Sequence, residues 1–175
     1  MDKYITINGL KLKELSIKWY DLSCAYSNFR EIGEGTTRFV YENNVDNPSS
    51  IYKRCIWYED TFCNQQEMKL YTENYNICPF LAKVKGISKD KDVIEFEKLN
   101  TKPIEEVAKE IGAEKVDTIF EIIDRKPELG EDLDFSWDEV DNFIIENGLS
   151  YDEVYFYRNW AVNNEGKLRL IDYSR

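Results

Sequence analysis

The amino-acid sequence predicts an α+β fold built as two lobes, strand-rich to about residue 100 and helical beyond it. Three observations predict it. Apolar and polar residues alternate in short runs before Asn100, and apolar residues recur at i, i+3, i+4 and i+7 after it. The 175 residues are 42% hydrophobic and 14% aromatic, enough for one domain or for two small lobes sharing a cleft. Residues 1–100 are expected to form a strand-rich lobe with one helix, and 101–175 a minimal, truncated helical lobe ending in a hairpin.

Asn8-Gly9, in the middle of the alternating run 4–15, favours a tight type I′ turn and predicts a hairpin. Residues 17–26 show no decisive period. Phe29–Ile32 and Arg38–Glu42 read as strands on either side of a Gly33-Glu34-Gly35 turn. Residues 43–50 read as a polar loop containing Pro48, and Ile51–Trp57 as a strand carrying Lys53. Thr61–Tyr75 reads as a helix whose apolar stripe, Phe62, Met68, Leu70 and Tyr71, is broken by polar residues. Strands Leu81–Ser88 and Val93–Leu99 follow, joined by the charged turn Lys89–Asp92. Ile104, Val107, Ala108 and Ile111 mark a first helix of the second lobe, started by Thr101 and Pro103 and stopped by Gly112. Val116, Ile119, Phe120 and Ile123 mark another. Ser136 and Glu139 form a capping box that opens a third helix, closed by Gly148. Trp160–Val162 and Leu168–Ile171 read as a terminal hairpin turning at 163–166. Asn100–Pro103 is the expected hinge between the lobes.

Lys and Arg number 23 against 34 Asp and Glu, a formal net charge of −11. Such a field repels nucleic-acid backbones and free ATP alike. No nucleic-acid partner is therefore expected, and a nucleotide site needs local Lys, Arg or Mg²⁺. The acidity serves solubility; its sharper reading is a surface that mimics DNA or docks on a basic partner. With no histidine in the chain, a Ser-His-Asp triad and a Cys-His dyad are excluded. Cys24, Cys55, Cys63 and Cys78 form no C-x-x-C pair, so a zinc site is not expected; they read as reduced core thiols of a cytoplasmic protein. No stretch reads as a signal peptide or a membrane span, so no membrane partner is expected.

Phosphoryl transfer needs mainly positioned charge: a loop over the phosphates, a Lys that reaches them, an acid that holds the Lys, and oxygen ligands for Mg²⁺. These parts occur in that order. Gly33 and Gly35, between two strands, let backbone approach phosphate closely. Lys53 lies on the next strand and Glu67 on the helix after it. Asn159 and Asp172 stand at the ends of the last hairpin, and their oxygens suit Mg²⁺ that keeps waters and substrate phosphates as its other ligands.

Together these residues resemble the protein-kinase-like superfamily, and within it the short kinase-like proteins of phages and mobile elements. The resemblance runs from about Glu31 to the C-terminus. It rests on Gly33, Gly35, Arg38 and Val40 as a Gly-x-Gly-x-x-Arg-x-Val loop, on Lys53, on Gln65-Gln66-Glu67, on Asn159-Trp160-Ala161-Val162, and on Asp172-Tyr173-Ser174. It implies ATP and Mg²⁺ as cofactors. Gly33, Gly35 and Arg38 would form the nucleotide-covering loop, Lys53 would contact the α- and β-phosphates with Glu67 as its partner, and Asn159 and Asp172 would hold the metal. Glu95–Leu99 would offer backbone hydrogen bonds to adenine. If the chain is phage-encoded, its location would be the host cytoplasm.

The resemblance breaks at the catalytic position. Kinases carry an Asp five residues before the metal-binding Asn, where this chain has Val154. Asp152 and Glu153, seven and six residues before Asn159, are the candidates to orient an acceptor hydroxyl. Ser174 replaces a glycine, and no activation segment follows, so a protein-substrate kinase of the ordinary type is not expected. Two readings stand: an ATP/Mg²⁺-binding phosphotransferase acting on a small molecule or nucleotide, and a catalytically inactive pseudokinase whose acidic surface engages a protein, such as a host enzyme or defence factor. A structural role in a virion ranks below both. Each kinase-like reading requires Lys53, Asn159 and Asp172 to face one crevice.

Overall fold

The computed structural model describes residues 3–24, 27–35, 37–58 and 60–173. It is a mixed α+β structure with one large mixed sheet. Thr36 of the glycine-rich loop and Ser174 lie outside the described residues, as do the last two residues of 17–26. The chain divides into two compact units, the first running to Glu73 and resuming over Lys83–Lys98, the second comprising Asn74–Ala82 and Leu99–Tyr173.

In the first unit, β1 (Lys3–Ile7) and β2 (Leu10–Leu15) form the hairpin at Asn8-Gly9. Their φ values of 50° and 81° are the left-handed pair that a type I′ turn demands. Then come β3 (Arg30–Glu34), β4 (Arg38–Asn43), β5 (Asn47–Cys55), α1 (Phe62–Asn74), β6 (Val84–Ser88) and β7 (Val93–Glu97). The seven strands lie in the order β1-β2-β6-β7-β5-β4-β3, with β2–β6 the parallel pair. Gly86 makes that pair feasible, since a Cβ there would fall 2.7 Å from the Lys13 carbonyl oxygen.

Period two sorts the side chains of β4 and β5 to two faces. Arg38, Val40, Lys53 and Cys55 share one face through the pairs Val40↔Lys53 and Arg38↔Cys55. Phe39, Tyr41, Tyr52 and Arg54 share the other. On that second face Tyr41, Tyr52 and Val93 form a core with Leu15 and Leu22, flanked by Ile17, Phe29 and Phe39. The segment without a sequence period is thus a turn-rich cover for the sheet. It carries Trp19, whose Nε1 donates to the Cys55 carbonyl at 2.7 Å and whose ring receives the Arg54 guanidinium at 4.2 Å.

Several expected boundaries move. Gly33 and Glu34 belong to β3, across a register shift from Glu31, so the reversal begins only at Gly35. The loop expected over 43–50 shrinks to a tight turn, because the Asn43 Oδ1 accepts from the amides of Val45 and Asp46. Pro48 consequently sits in β5. It does so before the β5–β7 ladder begins at Ser50, where no amide is required of it. β5 ends at Cys55 and leaves Trp57 74% exposed. β6 starts at Val84, since Leu81 belongs to the second unit. Phe62 is exposed, and α1 instead buries Asn64, Glu67, Met68, Leu70, Tyr71 and Thr72, a half-polar face that explains its broken apolar stripe.

The second unit holds α2 (Lys102–Ile111), α3 (Ile119–Arg125), α4 (Glu128–Glu131), α5 (Trp137–Asn147), α6 (Tyr151–Val154), β8 (Trp160–Val162) and β9 (Leu168–Leu170). Five helices therefore stand among its described residues where three were expected, because the one-turn helices α4 and α6 are too short for a period to register. The capping box at Ser136 and Glu139 forms as read, and Gly148 closes α5 with φ 64°. α3 starts at Ile119 on its own capping box from Thr118 and Glu121, and it buries Ile119 and Ile122 while Phe120 is exposed. Glu128 and Glu131 lie in α4, and Asp134 takes both guanidinium nitrogens of Arg169 at 2.9 and 2.8 Å.

The core of this unit is aromatic. Phe80 packs on Phe135 and Phe143, and Phe135 and Trp137 on Trp160, with ring centroids 5.3–6.0 Å apart. Residues 80–82 pair with β9 through Leu170 N–H to the Phe80 carbonyl at 2.7 Å and Ala82 N–H to the Leu170 carbonyl at 2.9 Å. Among the described residues no helix is long and apolar enough to cross a membrane. Cys55 and Cys78 are buried, and desolvation raises their thiols to about 12 and about 11. Cys24 is exposed and is not a core thiol.

Candidate functional site

Lys53 projects from β5 onto the face that α1 covers. Asn64, at the start of that helix, donates to the carbonyls of Lys91 and Asp92 at 3.0 and 2.9 Å and fastens the helix over the sheet. At the hairpin end, Asn8 Nδ2 donates to Thr72 Oγ1 at 3.1 Å. Glu67 lies one turn beyond Asn64, on the same side, and so faces the strands. Its Oε1 accepts from Lys53 Nζ at 2.8 Å, and its Oε2 is paired with Arg38 Nη1. All three side chains are buried, Glu67 completely at 0% exposure and each cation at 5%. Lys53 Nζ also stands 4.6 Å from the centre of the Phe96 ring. Arg38, expected to belong to the glycine-rich loop, is thus a buried partner of the helix glutamate.

The loop itself is the β3–β4 reversal. Gly35 N–H donates to the Arg38 carbonyl at 2.8 Å, and Ile56 N–H to that of Thr37 at 3.0 Å. Neither Gly33 nor Gly35 has a positive φ. A Cβ on Gly33 would meet Val40 at 3.9 Å, and one on Gly35 the Arg38 carbonyl oxygen at 3.6 Å, both ordinary contacts. The protein's own folding demands neither glycine.

No protein-family model and no curated protein matches this chain.

In the second unit, Asn159 ends a 3₁₀ turn, Tyr157–Asn159, and leads into β8. Its Nδ2 donates to the Glu153 carbonyl at 2.7 Å, which leaves Oδ1 as the acceptor end of the amide. Its own carbonyl takes the Ile171 N–H at 2.7 Å, and Trp160 pairs with Leu170, so Asn159 and Asp172 stand at the same end of the hairpin. Trp160 Nε1 donates to the Val154 carbonyl at 2.8 Å, and Val154 is 1% exposed. Val154, where the resemblance calls for a catalytic Asp, is therefore a core anchor. Asp152 is exposed on α6, and Glu153, half-buried, is the acid whose backbone touches Asn159. Among the described residues no group of three or more His, Cys, Asp or Glu side chains is arranged to hold a metal ion.

The backbone expected to face adenine is largely engaged. Glu95–Glu97 lie within β7, Glu97 N–H donates to the Lys83 carbonyl and Lys98 N–H to that of Ser49, both at 2.9 Å, and Asn100 N–H donates to Val162 at 2.8 Å. The Glu95 side chain points into the first unit and accepts from Ser50 Oγ at 2.6 Å and Asn47 Nδ2 at 2.8 Å. Sequence reasoning missed this network and the one at Glu42, whose carboxylate takes Lys98 and Arg30 and is held down at about 2 by those hydrogen bonds. A period-two reading places Glu42 and Glu95 in strands but does not tell which face is covered.

Proposed function

We propose that this chain is a kinase-like nucleotide-binding protein that acts as a phosphotransferase on a small molecule or nucleotide. The observation that carries the reading is the buried contact between Lys53 on β5 and Glu67 on α1, 2.8 Å long. An ion pair between a strand lysine and a helix glutamate is what a protein kinase must have in place to present its lysine to phosphates. Three antiparallel strands, a helix and two further antiparallel strands, β3 to β7, supply the frame the resemblance requires. The two glycines at the β3–β4 reversal favour the reading further, because the fold leaves room for a side chain there and a ligand would account for their bareness.

Asn159 and Asp172 fit Mg²⁺ in donor type and in their shared end of the hairpin. As two hard oxygen donors they would leave the remaining positions to water and phosphate. The ion would neutralise charge on the phosphates. The hydrogen bond from Asn159 Nδ2 to the Glu153 carbonyl turns the amide so that Oδ1 is its ligand end, and Glu153, next to Asp152 on α6, is the acid proposed to orient an acceptor hydroxyl.

A second reading, a pseudokinase acting through its acidic surface, is favoured by Val154, which stands in the core where a catalytic carboxylate is required. Thermal unfolding with and without millimolar ATP and Mg²⁺ tests nucleotide binding, since a ligand taken up only by the native state raises the midpoint. A rise that Lys53→Met and Asp172→Asn each abolish is expected, and no rise removes the nucleotide from both readings. Phosphate release or transfer lost on Glu153→Gln separates the enzyme from the pseudokinase.

A further inference from the structure

The first unit carries a second feature that the nucleotide reading does not use. At the end of the β1–β2 hairpin remote from Asn8-Gly9, a cleft of about 620 Å³ is lined by Lys3, Lys13, Lys18 and Lys89, with Glu14 and Asp90 among them. The strand pairing makes it. β2 and β6 run parallel, Leu15 beside Ser88, so both strands end on one side. The chain leaving β2 supplies Lys18, and the β6–β7 turn supplies Lys89 and Asp90. Lys3 enters because it stands opposite Glu14 in the hairpin. Exposed Tyr20 extends beyond Lys18, whose Nζ is 5.8 Å from the ring centre.

We propose that this cleft is a binding site for a small phosphorylated molecule that also bears hydroxyl or amino groups. Four lysines against two acidic residues among its lining make it locally cationic in a chain of net charge −11. That charge is unevenly shared. Residues 1–98 hold 14 Lys and Arg against 15 Asp and Glu, whereas residues 99–175 hold 9 against 19. The cleft thus belongs to a nearly neutral region whose own field does not cancel it. Its volume lies in the range of small-ligand sites, roughly 300–1,000 Å³. Lysines grip phosphate as point charges, and Glu14 and Asp90 would accept hydrogen bonds from hydroxyl or amino groups. The same two carboxylates would repel a continuous phosphate backbone, so a compact ligand is favoured over nucleic acid. The site lies at the opposite end of the hairpin from the contact with α1 and does not depend on the role proposed for Lys53.

Calorimetric titration of the full chain with inorganic tripolyphosphate, in EDTA to exclude Mg²⁺, tests the proposal. Saturable binding is expected, weakened roughly tenfold or more by Lys18→Glu with Lys89→Glu. It should be left unchanged by Lys109→Glu with Lys115→Glu, a control that alters net charge equally at two exposed sites of the second unit. If the first double variant does not fold, Lys89→Gln, in an exposed turn, is expected to weaken binding alone. Absence of heat at millimolar tripolyphosphate, equal loss in both double variants, or retention in the cleft variants would overturn the proposal. So would tighter cleft-dependent binding of a single-stranded oligonucleotide than of tripolyphosphate.

Discussion

The first unit buries several charged side chains, whereas among the described residues of the second Arg169 alone is buried and the rest of the charge lies outward. Beneath α1 the first unit buries Glu67 against two cations, and elsewhere in its sheet it encloses Glu42, Glu95 and Arg54. The second is held by aromatic rings packed tilted or edge to face and carries its excess of ten carboxylates, 9 basic against 19 acidic residues, mostly at its surface. Buried ion pairs are weak evidence for stability, since desolvation consumes most of their attraction and apolar replacements often do as well. A region that retains several of them invites a functional explanation, whereas an aromatic core with an acidic exterior needs none beyond folding and solubility.

The comparison breaks most sharply at its two centres. Glu67→Ala removes a carboxylate that two buried cations share and should lower stability by about 3–5 kcal/mol, measured by denaturant unfolding. Trp160→Ala in the aromatic core should cost a similar ~3–5 kcal/mol by loss of packing. Salt separates the two mechanisms. Raising ionic strength from about 0.01 to about 0.1 M shortens the screening length from roughly 30 to 10 Å, which should stabilise the acidic unit and leave the cost of Glu67→Ala nearly unchanged. If salt erases that cost, the Glu67 cluster behaves as a surface pair and the contrast fails.

Acid tests the first unit at a smaller scale. Because the folded-state pKa of Glu42 lies at about 2, below its ordinary value of 4.5, its contribution is fully present above pH 4.5 and disappears as pH falls from 4.5 towards 2. Glu42→Gln should therefore be less stable than the parent at pH 7 and approach it near pH 2, in melts taken across that window. Convergence of the two at pH 6 would contradict the assignment. The smallest effect belongs to the loop. Gly33→Ala and Gly35→Ala have room for their methyl groups and ordinary φ, so each should change stability by no more than about 0.5 kcal/mol while weakening nucleotide binding. Equal binding in both variants would remove the loop from the site.

The features legible in the sequence are those set by neighbours along the chain. Asn8-Gly9 specified its hairpin, Ser136 with Glu139 started α5, and Gly148 ended it, because each is a local backbone requirement. The placement of Lys53 on a strand, Glu67 on a helix and Asn159 and Asp172 at one end of a hairpin was legible for the same reason: residue types at set places on short elements. What escaped depends on pairing at a distance. The parallel β2–β6 pair, which builds the basic cleft, leaves no local trace, nor does the packing of Ile17, Leu22 and Phe29 against the sheet. Arg38 is expected in the glycine-rich loop, but its burial against Glu67 follows from its facing the same side as Lys53 two strand positions away.

The central proposal is that Lys53, held by Glu67 within the first unit, contacts nucleotide phosphate. Titration of ATP with Mg²⁺ into the parent chain, Lys53→Met, Glu67→Gln and the double variant measures it as a double-mutant cycle. The account predicts that each single variant loses roughly tenfold or more in affinity and that the double loses little beyond the worse of the two. Strictly additive losses, or no binding to the parent chain at millimolar nucleotide, would contradict it.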